Sequence, residues 1–387
     1  MTAKSISKLI VSHRGALKAK YGGAGLKQVE AALARLVKAD AKRGITTSLA
    51  LVDTDDVPKK LRVKSSRSAK NTKRAVDHLY TEHGKPDYLL LLGAPDVIPY
   101  QPLDNPLPVG TAEDEDPDPI VYSDLPYACE AGYSTTIKDF IGPTRAVGRL
   151  PDLNGGKVAA YLVDLIDGSA KHAAGKTLGA RFGLSTQTWP KATTEVLHRA
   201  FGSSPALRVA PPDMAPVPAS ALAPMVHLIN CHGDTHEPRY FGEDAETEEM
   251  DPSLTPADVE QTRQRGTLAV AECCYGTELY KAKGAKPICS AYLAQGAVGF
   301  MGSTTTAYGA DSAKIEDADV LCSKFLQLVA GKASLGRALL EARLFFVEQA
   351  KRFSGFELKT LAQFGLLGDP SLRAVEPSGA MPEVAGK

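Results

Sequence analysis

Short runs of consecutive apolar residues recur along the chain, and stretches with apolar positions three and four apart separate most of them. Runs of that length and β-branched content suit strands buried on both faces of a sheet; the longer spacing suits helices with one apolar stripe. Strands are predicted from Ile45 to Val52, Tyr88 to Leu92, Ala146 to Leu150, Ala180 to Leu184 and Ala297 to Met301. Helices are predicted from Leu26 to Arg43, stopped by Gly44, and over Lys157 to Ile166, Thr193 to Phe201 and Pro287 to Ala294. Two longer helices follow near 312–330 and 333–352. Strands alternating with helices argue an α/β fold with a mostly parallel sheet.

The stretch from Val226 to Gly276 organises the rest. Its first apolar run, Val226 to Asn230, leads into Cys231-His232-Gly233, and its second, Thr267 to Ala271, leads into Glu272-Cys273-Cys274-Tyr275-Gly276. Between them Thr255 to Arg265 predicts a helix, with Thr255 as N-cap and Pro256 at the first position. A strand–helix–strand unit with parallel strands brings both carboxyl ends to one edge of the sheet. His232 and a cysteine of the 273–274 pair then meet there, as a thiolate–imidazole nucleophile requires. Histidine supplies the base a thiol needs near neutral pH and returns the proton to a leaving amine. Gly233 lets backbone approach a substrate, so its N–H is a candidate oxyanion donor beside the nucleophile's own.

Composition narrows the setting. Across 387 residues, 45 basic side chains balance 45 acidic ones, so no bulk charge draws the chain to nucleic acid or an anionic membrane. The opening MTAKSISKLIVSHRG holds no continuous apolar core of a signal peptide, and no later run approaches spanning length. Six cysteines without framework spacing point to reduced thiols and a cytoplasmic protein. The segment from Lys59 to Arg74 is half basic, and reads as a surface loop leading into a helix or as an exposed site for cleavage after basic residues. The acidic stretch from Glu113 to Asp118 could hold calcium through its carboxylates, although its ligand spacing is irregular. A second acidic stretch, Glu243 to Asp251, reads as a solvated loop that helps attract a basic substrate. Tyr21 to Gly25 follows no predicted strand and so gives only a weak case for a dinucleotide site.

Cys-His-Gly-Asp after one strand and Glu-Cys-Cys-Tyr-Gly after the next resemble the clan of caspases, legumains, clostripain and gingipains. The wider match is to gingipain-like peptidases. It takes in Tyr88 to Gly93, Tyr122 to Tyr127, Val147 to Pro151, Gly302-Ser303-Thr304 and Leu367 to Leu372. The resemblance implies a caspase-like three-layer sandwich at 171–375, a smaller α/β subdomain before it at 1–170, and a polar tail at 376–387. It implies a cysteine endopeptidase acting on protein or peptide substrates through a His–Cys dyad with no obligatory third member. His232 is then the acid/base and one of the paired cysteines the nucleophile.

Caspase spacing selects Cys274, and gingipain and legumain spacing selects Cys273; successive strand residues face opposite ways, so only one can meet His232. Cys274 is favoured, because Glu272 then occupies the position that in this clan commonly lines the primary specificity pocket. A carboxylate there would complement arginine, and lysine second. The absence from this sequence of gingipain export and sorting regions favours a regulated intracellular role, with a regulatory partner protein. Two rivals stand beside this reading. His232, Asp234 and His236 could ligate a metal in a metallohydrolase, or the fold could serve as an inactive scaffold.

Overall fold

The computed structural model describes residues 6–112, 115–350 and 352–377. In chain order the described elements begin β1 (Ile6–Ser12), α1 (Arg14–Lys42), β2 (Ile45–Leu51), α2 (Ala69–Glu82) and β3 (Tyr88–Leu92). Next come β4 (Gln101–Asp104), β5 (Ile120–Ser123), β6 (Ala146–Leu150), α3 (Ala160–Lys171), β7 (Arg181–Thr186), α4 (Pro190–Phe201) and β8 (Arg208–Ala210). Then follow β9 (Val226–Asn230), β10 (Tyr240–Glu243), β11 (Met250–Leu254), α5 (Pro256–Glu260), β12 (Leu268–Ala271), α6 (Ile288–Ala294) and β13 (Gly299–Gly302). The last are α7 (Asp317–Ala330), α8 (Leu335–Gln349), α9 (Gly355–Gln363) and β14 (Gly365–Gly368).

One ten-stranded sheet runs in the order β2-β1-β3-β6-β14-β13-β12-β9-β7-β8. All neighbours are parallel except β13 and β14, whose antiparallel pairing joins two parallel blocks of opposite direction. The chain passes from one block to the other between β6 and β7, around residue 170, while the sheet itself is continuous across that point. Helices cover both faces, which makes three layers. Along β9 and β12, Ile229, Ala269 and Ala271 pack into the core that also holds Val29 of α1, Leu162 of α3 and Tyr292 of α6. The alternate residues Val226, Leu228, Leu268 and Val270 pack with Val196 of α4, Phe325 of α7, Leu339 of α8 and Leu361 of α9. Strand alternation therefore decides which helical layer each side chain meets.

Four departures from the sequence pattern have physical causes. Lys8 interrupts the apolar run of β1, yet it is fully buried, with Nζ 2.6 Å from both Asp40 and Asp369. Its partner Asp369 belongs to the closing Gly-Asp-Pro-Ser motif and also accepts from the Ser371 N–H and hydroxyl, so this motif anchors the first strand to the last. Helix α1 begins at Arg14, twelve positions before the apolar spacing becomes regular, and absorbs its glycines at a kink where Gly22 takes φ +68°. Helix α5 keeps the predicted start, with Thr255 and Asp258 forming a capping box, but stops at Glu260 rather than Arg265. The acidic stretch before it spans an antiparallel hairpin: Glu243 ends β10, Asp251 lies in β11, and residues 244–249 form the solvated loop between them.

Candidate active site

In the parallel pair β9–β12, Leu268 lies opposite Val226 and Ala271 opposite Ile229, and the Glu272 N–H continues the ladder to the Ile229 carbonyl at 2.8 Å. Carried past the strand ends, that register sets Cys273 level with Cys231 and Cys274 level with His232. The two chains stay in contact there: a Cβ added to Gly233 would lie 2.0 Å from the Cys274 carbonyl oxygen and 3.6 Å from the Cys273 Cβ. Only glycine permits that approach. Alternation then separates the two cysteines. Cys273 turns into the layer that holds Cys231 and Ile229, fully buried, with Sγ 3.6 Å from the Ile229 carbonyl. Cys274 falls on the side of His232 and is partly exposed.

His232 is fixed from three directions. Its backbone exchanges both hydrogen bonds with Phe241, at 3.0 and 2.9 Å, which folds β10 back over the strand end. Its ring lies 4.6 Å from that of Trp189, the residue before α4. Its Nε2 is 3.1 Å from Glu243 Oε2, which also accepts from Thr188 Oγ1 at 2.5 Å. Glu243 was a member of a surface loop in the sequence pattern, and here it is the carboxylate partner of the imidazole. Burial pushes its pKa up, but the Thr188 and His232 hydrogen bonds outweigh this and hold it below the usual glutamate range. The ring nitrogen not held by Glu243 has no protein partner among the described residues.

Around Cys274, the Ala307 N–H donates to Sγ at 3.3 Å, and the thiol points back to the Ala307 carbonyl at 3.7 Å. Burial raises the thiol above its ordinary value, against the pull of the Ala307 N–H and the Lys359 ammonium, so the resting state is a thiol. Tyr275 next to it is held at φ +54°, strained for a side chain of that size. The Gly233 N–H has no protein acceptor among the described residues, and the Cys274 N–H meets its own Sγ.

Glu272 is not presented to a substrate. Its side chain is buried on the α7 side, neither oxygen has a hydrogen-bond partner of the usual N–H or O–H kind, and its neighbours are Asp319 and the weakly donating Cys322 thiol. Desolvation first, and the Asp319 charge second, push its carboxyl well above the usual range, which favours the protonated form. The expectation of an open carboxylate at this position is corrected: strand alternation aims it into a helical layer rather than into a cleft.

The other candidates also find places. His232 binds Glu243, whereas His236 turns outward to Glu278, 3.3 Å away, so His232, Asp234 and His236 do not converge as three metal ligands. Among the described residues no group of three or more His, Cys, Asp or Glu side chains is arranged to hold a metal. In the stretch expected to offer calcium ligands, Asp116 and Asp118 take the Lys359 ammonium between them; Glu113 and Asp114 lie outside the described residues. No helix among the described residues is long and apolar enough to cross a membrane. Cavities of about 350 and 590 Å³ open at the far edge of the sheet, around Tyr88 and His172 and around Lys171 and Arg263. Neither touches His232 or Cys274, both of which are partly exposed.

A profile of peptidase family C25 matches residues 2–186 and 237–375, two blocks that leave out the turn carrying His232. The fold is similar to that of the Arg-specific cysteine proteinase gingipain R, with a TM-score of 0.63 and 14% identity over 95% of this chain and 78% of that one. A complex of Porphyromonas gingivalis RgpB pro- and mature domains gives a TM-score of 0.61 and 15% identity over 95% and 79%. A structure described as a protease gives 0.55 and 15% over 96% and 78%. No curated protein sequence matches significantly.

Proposed function

The chain belongs to peptidase family C25 and is a cysteine endopeptidase, and from that premise we propose that it works through His232 and Cys274 and cuts after basic residues, arginine before lysine. The observation that carries this reading is the level pairing of the two strand ends, with Cys274 turned to the side of a histidine whose other nitrogen is held by Glu243.

In the first half-reaction the free ring nitrogen of His232 takes the Cys274 proton as sulfur bonds to the scissile carbonyl carbon. The oxyanion then accepts from the Gly233 and Cys274 N–H groups. As the tetrahedral intermediate collapses, His232 delivers the proton to the departing amine and the thioester remains. Water, deprotonated by His232, then releases the acid and restores the thiol. Glu243 holds the imidazole in one tautomer and stabilises its protonated form, as the third group of a triad does. The dyad read from the sequence thereby gains a positioning carboxylate.

Support for arginine comes from the Arg-specific neighbour and from the acidic β10–β11 hairpin beside His232, not from Glu272. The same reading sets the enzyme in the cytoplasm under control of a partner protein, a reducing compartment that suits six unpaired thiols. A panel of fluorogenic peptides differing only at P1 tests it. Arginyl and lysyl peptides should be cut, iodoacetamide should abolish turnover and a chelator should leave it intact. Equal or better cleavage after asparagine or aspartate, or loss of turnover on chelation, would overturn it.

A further inference from the structure

The acidic stretch before β5 does more than face solvent. Asp116 and Asp118 are both buried, and the equally buried ammonium of Lys359 on α9 lies 2.5 Å from Asp116 Oδ2 and 2.8 Å from Asp118 Oδ2. From this triad, hydrogen bonds reach both segments that flank the Cys274 thiol. The Tyr275 hydroxyl donates to Asp118 Oδ1 at 2.8 Å, and the Thr306 N–H donates to Asp118 Oδ2 at 2.8 Å. The Tyr308 hydroxyl donates to Asp116 Oδ2 at 2.7 Å, and Thr306 Oγ1 donates to the Tyr275 hydroxyl at 3.2 Å. Asp118 therefore grips the residue after the thiol, and the two carboxylates together grip both neighbours of Ala307, whose backbone touches Sγ.

A buried triad of charges is a poor source of stability, because apolar side chains of the same volume would do as well or better. Its cost is more easily understood where geometry and charge beside a reacting atom matter. The groups facing Cys274 can be named from every side. His232, backed by Glu243, stands on the β9–β10 side; Cys273 and Tyr275 are its own neighbours; Tyr308 follows Ala307; and Asp116, Asp118 and Lys359 close the remaining side. Of the formal charges in this last group, Lys359 favours the thiolate and Asp118 opposes it.

We propose that Lys359 and Asp118 are positioning residues for Cys274: through Tyr275 and the Thr306–Tyr308 strap they fix the thiol's orientation, and their opposed charges set how readily it becomes a thiolate. The proposal rests on Cys274 being the nucleophile, but it can be read without any peptide turnover.

The experiment is the pH dependence of iodoacetamide alkylation at Cys274, located by fragment-ion mass spectrometry, in the wild type, Asp118→Asn, Tyr275→Phe and Lys359→Met, alongside kcat and KM on an arginyl peptide. Removing the negative charge in Asp118→Asn should move the alkylation midpoint to lower pH, and removing the positive charge in Lys359→Met should move it to higher pH. Tyr275→Phe should lower kcat roughly tenfold, the loss of one hydrogen bond to a charged acceptor, with KM within about twofold. Lys359→Met leaves two buried carboxylates unpaired, so Asp118→Asn and Tyr275→Phe carry the test if it does not fold. Shifted alkylation profiles without peptide cleavage by any form would uphold the positioning role while removing the peptidase reading. Unchanged midpoint in Asp118→Asn together with unchanged kcat in Tyr275→Phe would overturn the proposal.

Discussion

Glu243 Oε2 stands 3.1 Å from Nε2 of His232, and the side chains of both are about four-fifths buried at the rim of the sheet. The contact exists because β10 folds back on the end of β9, pairing Phe241 with His232 and carrying Glu243 to the ring. An imidazole held at one nitrogen offers the other in a fixed direction. Glu243→Gln should therefore lower kcat by about 10- to 100-fold with KM little changed, and Glu243→Asp should recover part of the loss. Steady-state kinetics on an arginyl peptide decides; a change confined to KM would mean that Glu243 serves binding instead.

Glu272 supplies a test through stability. Below its ordinary value of 4.5 the folded and unfolded chains both carry the proton, and its burial has no electrostatic cost. Above that value the unfolded chain ionises while the folded chain keeps the proton, so the native state binds more protons and loses stability as pH rises. Glu272→Gln does not titrate. Its melting temperature should exceed that of the wild type by more at pH 7 than at pH 4.5, and the order of P1 preferences should be unchanged. A lost arginine preference in a folded Glu272→Gln protein would restore the carboxylate to the specificity pocket.

The basic segment offers cleavage sites for self-processing, and the structure narrows them. Lys73 is buried against Asp77 within α2, whereas Lys64 and Arg67 are exposed in the irregular stretch before that helix. Cleavage after Lys64 or Arg67 should give new termini in the purified wild-type protein and none in Cys274→Ala. Intact-mass and terminal-peptide spectrometry reads this directly, and identical termini in both proteins would dismiss self-processing.

The strands that place the chemistry were legible because they are buried on both faces: β3 and β12 are apolar throughout, and β6 and β9 keep enough apolar residues around buried Arg149 and His227 for length and composition to mark them. The glycine after His232 and the paired cysteines were legible for the same reason, since they end such runs. Elements whose polar residues are neutralised across long sequence distances were not. Lys8 hides β1 because its carboxylates lie at positions 40 and 369, and Glu243 reads as surface because its hydrogen-bond partners are Thr188 and His232. The Lys359–Asp116–Asp118 triad is illegible in the same way, because Lys359 lies more than two hundred positions from its two carboxylates. Alternation at the end of β12 could have warned that Glu272 faces a helix, because Leu268 and Val270 on the same side are core.

The central claim is that the rim thiol, and not its buried neighbour, does the chemistry. Separate alanine substitutions at 273 and 274, assayed on arginyl peptides with folding checked by thermal melts, measure it most directly. Cys274→Ala should be folded and inactive, and Cys273→Ala should lose some stability to the cavity it leaves but keep turnover. An active Cys274→Ala beside an inactive, folded Cys273→Ala would contradict the account.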